Sequence, residues 1–143
     1  MQGPVIEQLL GGKDVIGHTI RNEMDLYELS RNGLPKMALI HLIKNLNFTL
    51  KAMVSLLHIT ERTLQRKSDM ELLDLITSEQ ILQVAQVYGR GNSVFESQEN
   101  FKKWLTLENH ALDTKRPIDL LTSRYGAQMV LDELGRIEYG IIA

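Results

Sequence analysis

The side chains best equipped for chemistry crowd into FTLKAMVSLLHITERTLQRK, residues 48–67. Arginine can pair with guanine O6 and N7, and glutamine with adenine N6 and N7; threonine and lysine reach phosphates or thymine methyls. Arg62, Gln65, Arg66 and Lys67, with Thr60, Thr63 and Lys51, therefore form a candidate double-stranded DNA reader. Nothing comparable points to catalysis. The chain has no cysteine, which excludes thiol catalysis, a disulfide framework and thiolate zinc sites. His18, His41, His58 and His110 share no metal-ligand spacing and have no serine or acidic partner in a recognisable motif. Gly11-Gly12-Lys13 has the outline of a phosphate loop, but Glu7 stands where its first glycine belongs and Asp14 where its hydroxyl belongs. A helix terminator is expected there instead. Asp132-Glu133 reads as a solvated pair on the outer face of the last helix, and Trp104 with Phe101 as core. The expectation is a binding protein, not an enzyme, with no cofactor and no metal.

A reader of bases must be held by helices, and the pattern supplies them. Apolar periodicity is helical nearly throughout, with no convincing strand alternation. Pro35, after Gly33 and Leu34, opens a helix whose stripe is Met37, Leu39, Ile40, Leu42, Ile43 and Leu46; Asn45 and Asn47 end it. Thr49 is placed to cap a helix carrying Leu50, Met53, Val54 and Leu57, and Thr60 to cap another starting at Glu61. Only His58-Ile59-Thr60 separates them, the arrangement of a helix-turn-helix. Met53, Val54 and Leu57 would bury the first helix, Ile59 would plug the turn, and Leu64 would bury the second, leaving residues 61–63 and 65–67 outward. His58 stands where such a turn usually has glycine, so a left-handed backbone is expected there, and Val54 stands where alanine is usual.

Further along, Thr77 and Gln80 have capping-box spacing, with Ile76 and Ile81 as the staple. The helix so begun buries Ile81, Val84, Ala85 and Tyr88 and ends near Tyr88. Gly89-Arg90-Gly91-Asn92-Ser93 is the expected break between lobes. Ser97 caps a helix presenting Phe101, Trp104 and Leu105; Pro117 starts a short one through Leu121; the last begins near Ser123, with Val130, Leu131 and Leu134 inward and Gly135 as its terminator. The expected division is a helical arm over 1–34, a helix-turn-helix domain over 35–92 and a C-terminal domain over 93–143.

With 143 residues, 43% of them hydrophobic, the chain is long enough to bury about 68–70% of its unfolded surface. The net charge of −2 conceals a basic centre. Residues 35–67 hold Lys36, Lys44, Lys51, Arg62, Arg66 and Lys67 against Glu61 alone, between acidic flanks, which suits a local polyanion site. No apolar run approaches a membrane span and the first residues lack signal-peptide features, so a cytoplasmic protein without membrane contact is expected.

The run Thr-Glu-Arg-Thr-Leu-Gln-Arg at 60–66 is accompanied by Gly33-Leu34-Pro35, Trp104-Leu105, Pro117-Ile118-Asp119-Leu120-Leu121 and Arg136-Ile137-Glu138-Tyr139-Gly140. In that order, over nearly the whole chain, these pieces resemble the Xre/MbcA/ParS antitoxins of bacterial toxin–antitoxin pairs. The resemblance implies an Xre-like helix-turn-helix followed by a small helical toxin-binding lobe. It further implies a homodimer that covers the active-site entrance of a RES-domain, NAD-consuming toxin and binds operator DNA to repress its own operon.

The tail beyond Gly135 fits that role, since Ile137, Tyr139, Ile141 and Ile142 have little chain left to cover them. Arg136, Ile137, Glu138, Tyr139 and Gly140 are the expected toxin contacts. The alternative is a stand-alone helix-turn-helix transcriptional regulator whose C-terminal lobe dimerises or senses a ligand.

Overall fold

The computed structural model describes residues 2–140, and helices make up all their regular structure apart from two isolated bridges. The chain is all-α, as expected. It divides into two compact units, Met1–Gln86 and Val87–Ala143. Ile141 and Ile142, expected to extend an apolar tail, lie outside the described residues.

The first unit holds α1 (Gly3–Leu9), α2 (Lys13–Ile16), α3 (Glu23–Asn32), α4 (Lys36–Asn45), α5 (Leu50–Val54), α6 (Glu61–Arg66) and the start of α7 (Leu75–Phe95). Helix α4 is its axis. Ala38, Leu39, Leu42 and Leu46 are buried, whereas Ile40, read as part of the stripe, is exposed and Ala38 takes that inward position. Residues 3–20 pack on α4 of the same chain through Ile6, Leu10, Ile16 and Ile20, all buried. Asn45 Nδ2 donates to the carbonyls of Gln8 and Leu9 at 3.3 and 3.0 Å, satisfying the carboxyl end of α1. Gly11 and Gly12 do separate two helices, with φ of +99° and +88°. At the start of α3, Asn22 Oδ1 accepts from the Asp25 amide, and Asp25 accepts from the Arg21 amide. That amide, together with the Arg21 guanidinium, holds the Asp25 carboxyl below the usual range.

Pro35 opens α4 without a side-chain cap, so the first amides need other acceptors. The segment after α6 provides them: Lys36 and Met37 donate to the carbonyls of Glu71 and Asp69 at 2.9 and 2.7 Å, and Leu73 donates to Leu34 at 2.7 Å. This strap explains Gly33. Its φ is +90°, and a Cβ there would sit 2.5 Å from the Leu73 carbonyl oxygen.

Helix α7 corrects two expectations. It starts at Leu75, where Asp74 Oδ1 caps the Thr77 amide at 2.7 Å, so Thr77-Gln80 is not a capping box; Ile76 is exposed and no staple. It also runs unbroken through Gly89-Arg90-Gly91-Asn92-Ser93. The glycine there serves packing: a Cβ on Gly91 would lie 2.0 Å from Phe101 Cζ, so this glycine seats an aromatic ring.

The second unit contains the end of α7, α8 (Gln98–Thr106), a 3-10 turn (His110–Leu112), α9 (Pro117–Leu120) and α10 (Arg124–Glu138). Ser97 caps α8 as expected, and α10 begins where expected, with Ser123 as its cap. Tyr88 meets Phe101 edge-on at 5.2 Å, and Trp104, half-buried, stacks on Phe101 at 6.0 Å. Val130 and Leu134 of α10 are buried with Leu105, Leu112 and Leu121. Gly135 does not end α10. The helix continues to Glu138, and the left-handed residue is Gly140, φ +71°.

Candidate nucleic-acid interface and C-terminal helix

Helices α5 and α6 form where their threonines specify. The Thr49 hydroxyl accepts from the Ala52 amide at 3.0 Å, and the Thr60 hydroxyl from the Thr63 amide at 3.1 Å. The connection is longer than three residues, because α5 ends at Val54 and α6 begins at Glu61. Leu56 and Leu57 are buried within it, Ile59 is half-buried, and Leu64 anchors α6. His58 is not left-handed. Its amide instead donates to Oε1 of the buried Gln80 at 2.8 Å, so a side chain of α7 fixes the turn.

Leu64 facing inward turns Arg62, Gln65 and Arg66, at i, i+3 and i+4, to the opposite side of α6. All three are exposed, and among the described residues none has an ion pair or side-chain hydrogen bond. Lys51 is likewise exposed and unpaired on α5. The Thr60 and Thr63 hydroxyls are engaged with each other at 2.9 Å as well as with the cap. Lys67 is half-buried; its ammonium lies 3.3 Å from Glu71 Oε2 and its carbonyl accepts from Lys36 Nζ at 3.0 Å. The Ser68 amide and the Lys67 ammonium hold the Glu71 carboxyl below its usual range. Lys67 is thus braced by the strap, whereas Arg62, Gln65 and Arg66 are free to meet a ligand.

In the second unit, the residues expected as a tail are helical as far as Glu138, with Tyr139 as the cap; Arg136 and Tyr139 share one side, and Ile137 and Glu138 turn to others. Arg136 is gripped by Glu133, with Nε 2.8 Å and Nη2 2.6 Å from the same oxygen. Glu133 is buried, which corrects the reading of Asp132-Glu133 as a solvated pair: Asp132 alone is exposed. Ile137 is half-buried. Glu138 Oε2 lies 2.8 Å from Arg90 Nε, an ion pair by distance whose angle is too poor for a hydrogen bond. Tyr139 is exposed, and its amide closes the last turn on the Gly135 carbonyl.

Gln80, Glu133 and Arg90 were missed as supporting residues. The i, i+3 spacing of Glu133 and Arg136 was a usable signal. Gln80 gave none, because its partner lies 22 positions away. Among the described residues, no cluster of histidine, aspartate and glutamate could hold a metal ion, and no helix is long and apolar enough to cross a membrane.

Comparison with known proteins agrees with this arrangement. Residues 25–86 match the antitoxin Xre-like helix-turn-helix domain. Residues 90–140 match the antitoxin Xre/MbcA/ParS C-terminal toxin-binding domain. No curated protein sequence matches the chain. The two domains, in that order and covering most of the sequence, define a toxin–antitoxin antitoxin with a DNA-binding helix-turn-helix. The chain belongs to the Xre-type antitoxins.

Proposed function

We propose that this antitoxin neutralises a RES-type, NAD-consuming toxin by covering its active site, and that as a homodimer it binds operator DNA and represses its own operon. The observation that carries the regulatory half is the unpartnered Arg62, Gln65 and Arg66 face of α6, set opposite the buried Leu64. Thr60, Thr63, Lys67 and Lys51 flank that face, and Lys51 is suited to phosphate. A single helix-turn-helix reads half a site, so two copies about 34–36 Å apart, or a multiple of it, fit an inverted repeat. The inhibitory half is assigned to Arg136, Ile137, Glu138, Tyr139 and Gly140, within the segment similar to toxin-binding domains.

The test pairs the chain with a RES-domain toxin, the expected product of the neighbouring reading frame. Co-expression should restore growth and cellular NAD to poisoned cells, and deletion of residues 136–143 should abolish rescue while operator gel shifts persist. Operator binding without rescue by the full chain would leave a stand-alone regulator.

A further inference from the structure

Helix α10 has an outer stripe that its own unit does not use. Its inward side is occupied by Ala127, Val130 and Leu134, with Glu133 buried at the margin. On the opposite side Tyr125, Met129, Asp132, Arg136 and Tyr139 follow one another at steps of four, three, four and three residues, which keeps them on one line along a helix. Tyr125 is 85% exposed, Met129 44% and Tyr139 73%. The line runs for about 20 Å at the 1.5 Å rise of a helix. Two tyrosines, a methionine and an arginine are the residue types enriched where proteins bury anchors in one another.

We propose that the toxin docks lengthwise along this stripe, with Tyr125 and Met129 as anchors well upstream of the chain end. The inference rests on the antitoxin reading and adds to it the surface. The stripe lies inside the segment that matches toxin-binding domains. A toxin surface complementary to the stripe offers a cation to Asp132 and a carboxylate to Arg136 between two apolar pockets. A second copy of the chain matches these charges only in an antiparallel pairing centred near Leu134, an outcome that native mass reads directly. Arg136 is prepared for such a partner: Glu133 holds Nε and Nη2 and leaves Nη1 without an intramolecular contact. Asp132 is likewise oriented, accepting from Gln128 Nε2 at 2.9 Å.

The experiment uses the full-length chain carrying Tyr125→Ala or Met129→Asp, titrated against the purified product of the neighbouring reading frame, expected to be a RES-domain protein, with operator gel shifts and native mass measured on the same samples. The expected result is at least a tenfold weaker toxin complex for each variant, with operator binding and mass unchanged. Both side chains are exposed, and a thermal melt with parental helix content and midpoint verifies the fold of the second unit, which operator binding does not report. Wild-type toxin affinity in both variants, alongside loss of binding on deletion of residues 136–143, would confine the contact to the chain end and overturn the proposal. A fall in native mass with toxin binding retained would assign the stripe to self-association, also overturning it. If the unmutated chain does not bind this protein, the RES-type reading fails, and the docking surface with it.

Discussion

Arg62 and Arg66 reach solvent from one side of α6 with no partner among the described residues, so their N–H donors are available to a ligand. Replacing either by alanine should weaken operator binding by about 1–3 kcal/mol if it makes a bidentate base contact. Lys51→Ala should weaken all DNA sequences alike and lower the salt slope by about one. Gel shifts on operator and scrambled DNA over a salt series separate the two behaviours; operator affinity unchanged in both arginine variants would end the recognition-helix assignment. Their outward placement was legible because it is declared locally, by the capping Thr60, the single inward Leu64 and the exposed remainder of α6. Gln80 was not legible. Its value lies in accepting from the His58 amide across 22 positions, and local spacing suggested a different, equally common use. Gln80→Leu should lower stability by about 1 kcal/mol through loss of that hydrogen bond, seen as an earlier urea midpoint, and should loosen operator binding.

Helix starts were readable where a side chain caps them, as Thr49, Thr60, Ser97 and Ser123 do, because the donor and acceptor lie three residues apart. Helix ends were read less evenly: Asn45 closes α4 and Gly11-Gly12 separate α1 from α2 as expected, but glycine has two meanings. Gly91 and Gly135 each sit inside a helix that was expected to stop near them. They differ in what surrounds them. A Cβ at Gly135 would meet only Arg90 Nη2, at 3.7 Å, so Gly135→Ala should stabilise the chain by roughly 0.5–1 kcal/mol. Gly91→Ala should destabilise it, since the Phe101 ring has to leave its seat. Urea unfolding of both variants checks this pair; equal shifts would contradict it. The entry to α3 makes a separate prediction. Asp25 is held below its unfolded pKa, so its contribution is present above that value and is lost as the pH falls through the lowered folded one. Thermal melts of Asp25→Asn should accordingly depend less on pH below about pH 4 than those of the parent.

The molecule divides into Met1–Gln86, which holds the candidate reader, and Val87–Ala143, which holds the outer stripe of α10. Sequence reasoning proposed both candidate ends from local chemistry. It did not find that Arg136, Ile137 and Glu138 continue α10 and face different ways, because the ties that place them, Glu133 to Arg136 and Arg90 to Glu138, depend on packing. Since reader and stripe use different residues, Arg62→Ala should lose operator affinity yet still rescue poisoned cells, and Tyr125→Ala should do the reverse. Joint loss in either variant, in growth and gel-shift assays, would show that the functions are not separable. The Gln80 bond to the turn has a consequence in heredity. On the proposed autorepression, a cell losing that amide would transcribe the operon more freely and remain healthy, because inhibitor would be made together with poison. A reporter selection for constitutive promoter mutants should therefore return Gln80 substitutions as viable, silent derepressors, whereas lesions in α10 should surface only as lethal alleles rescued by toxin loss.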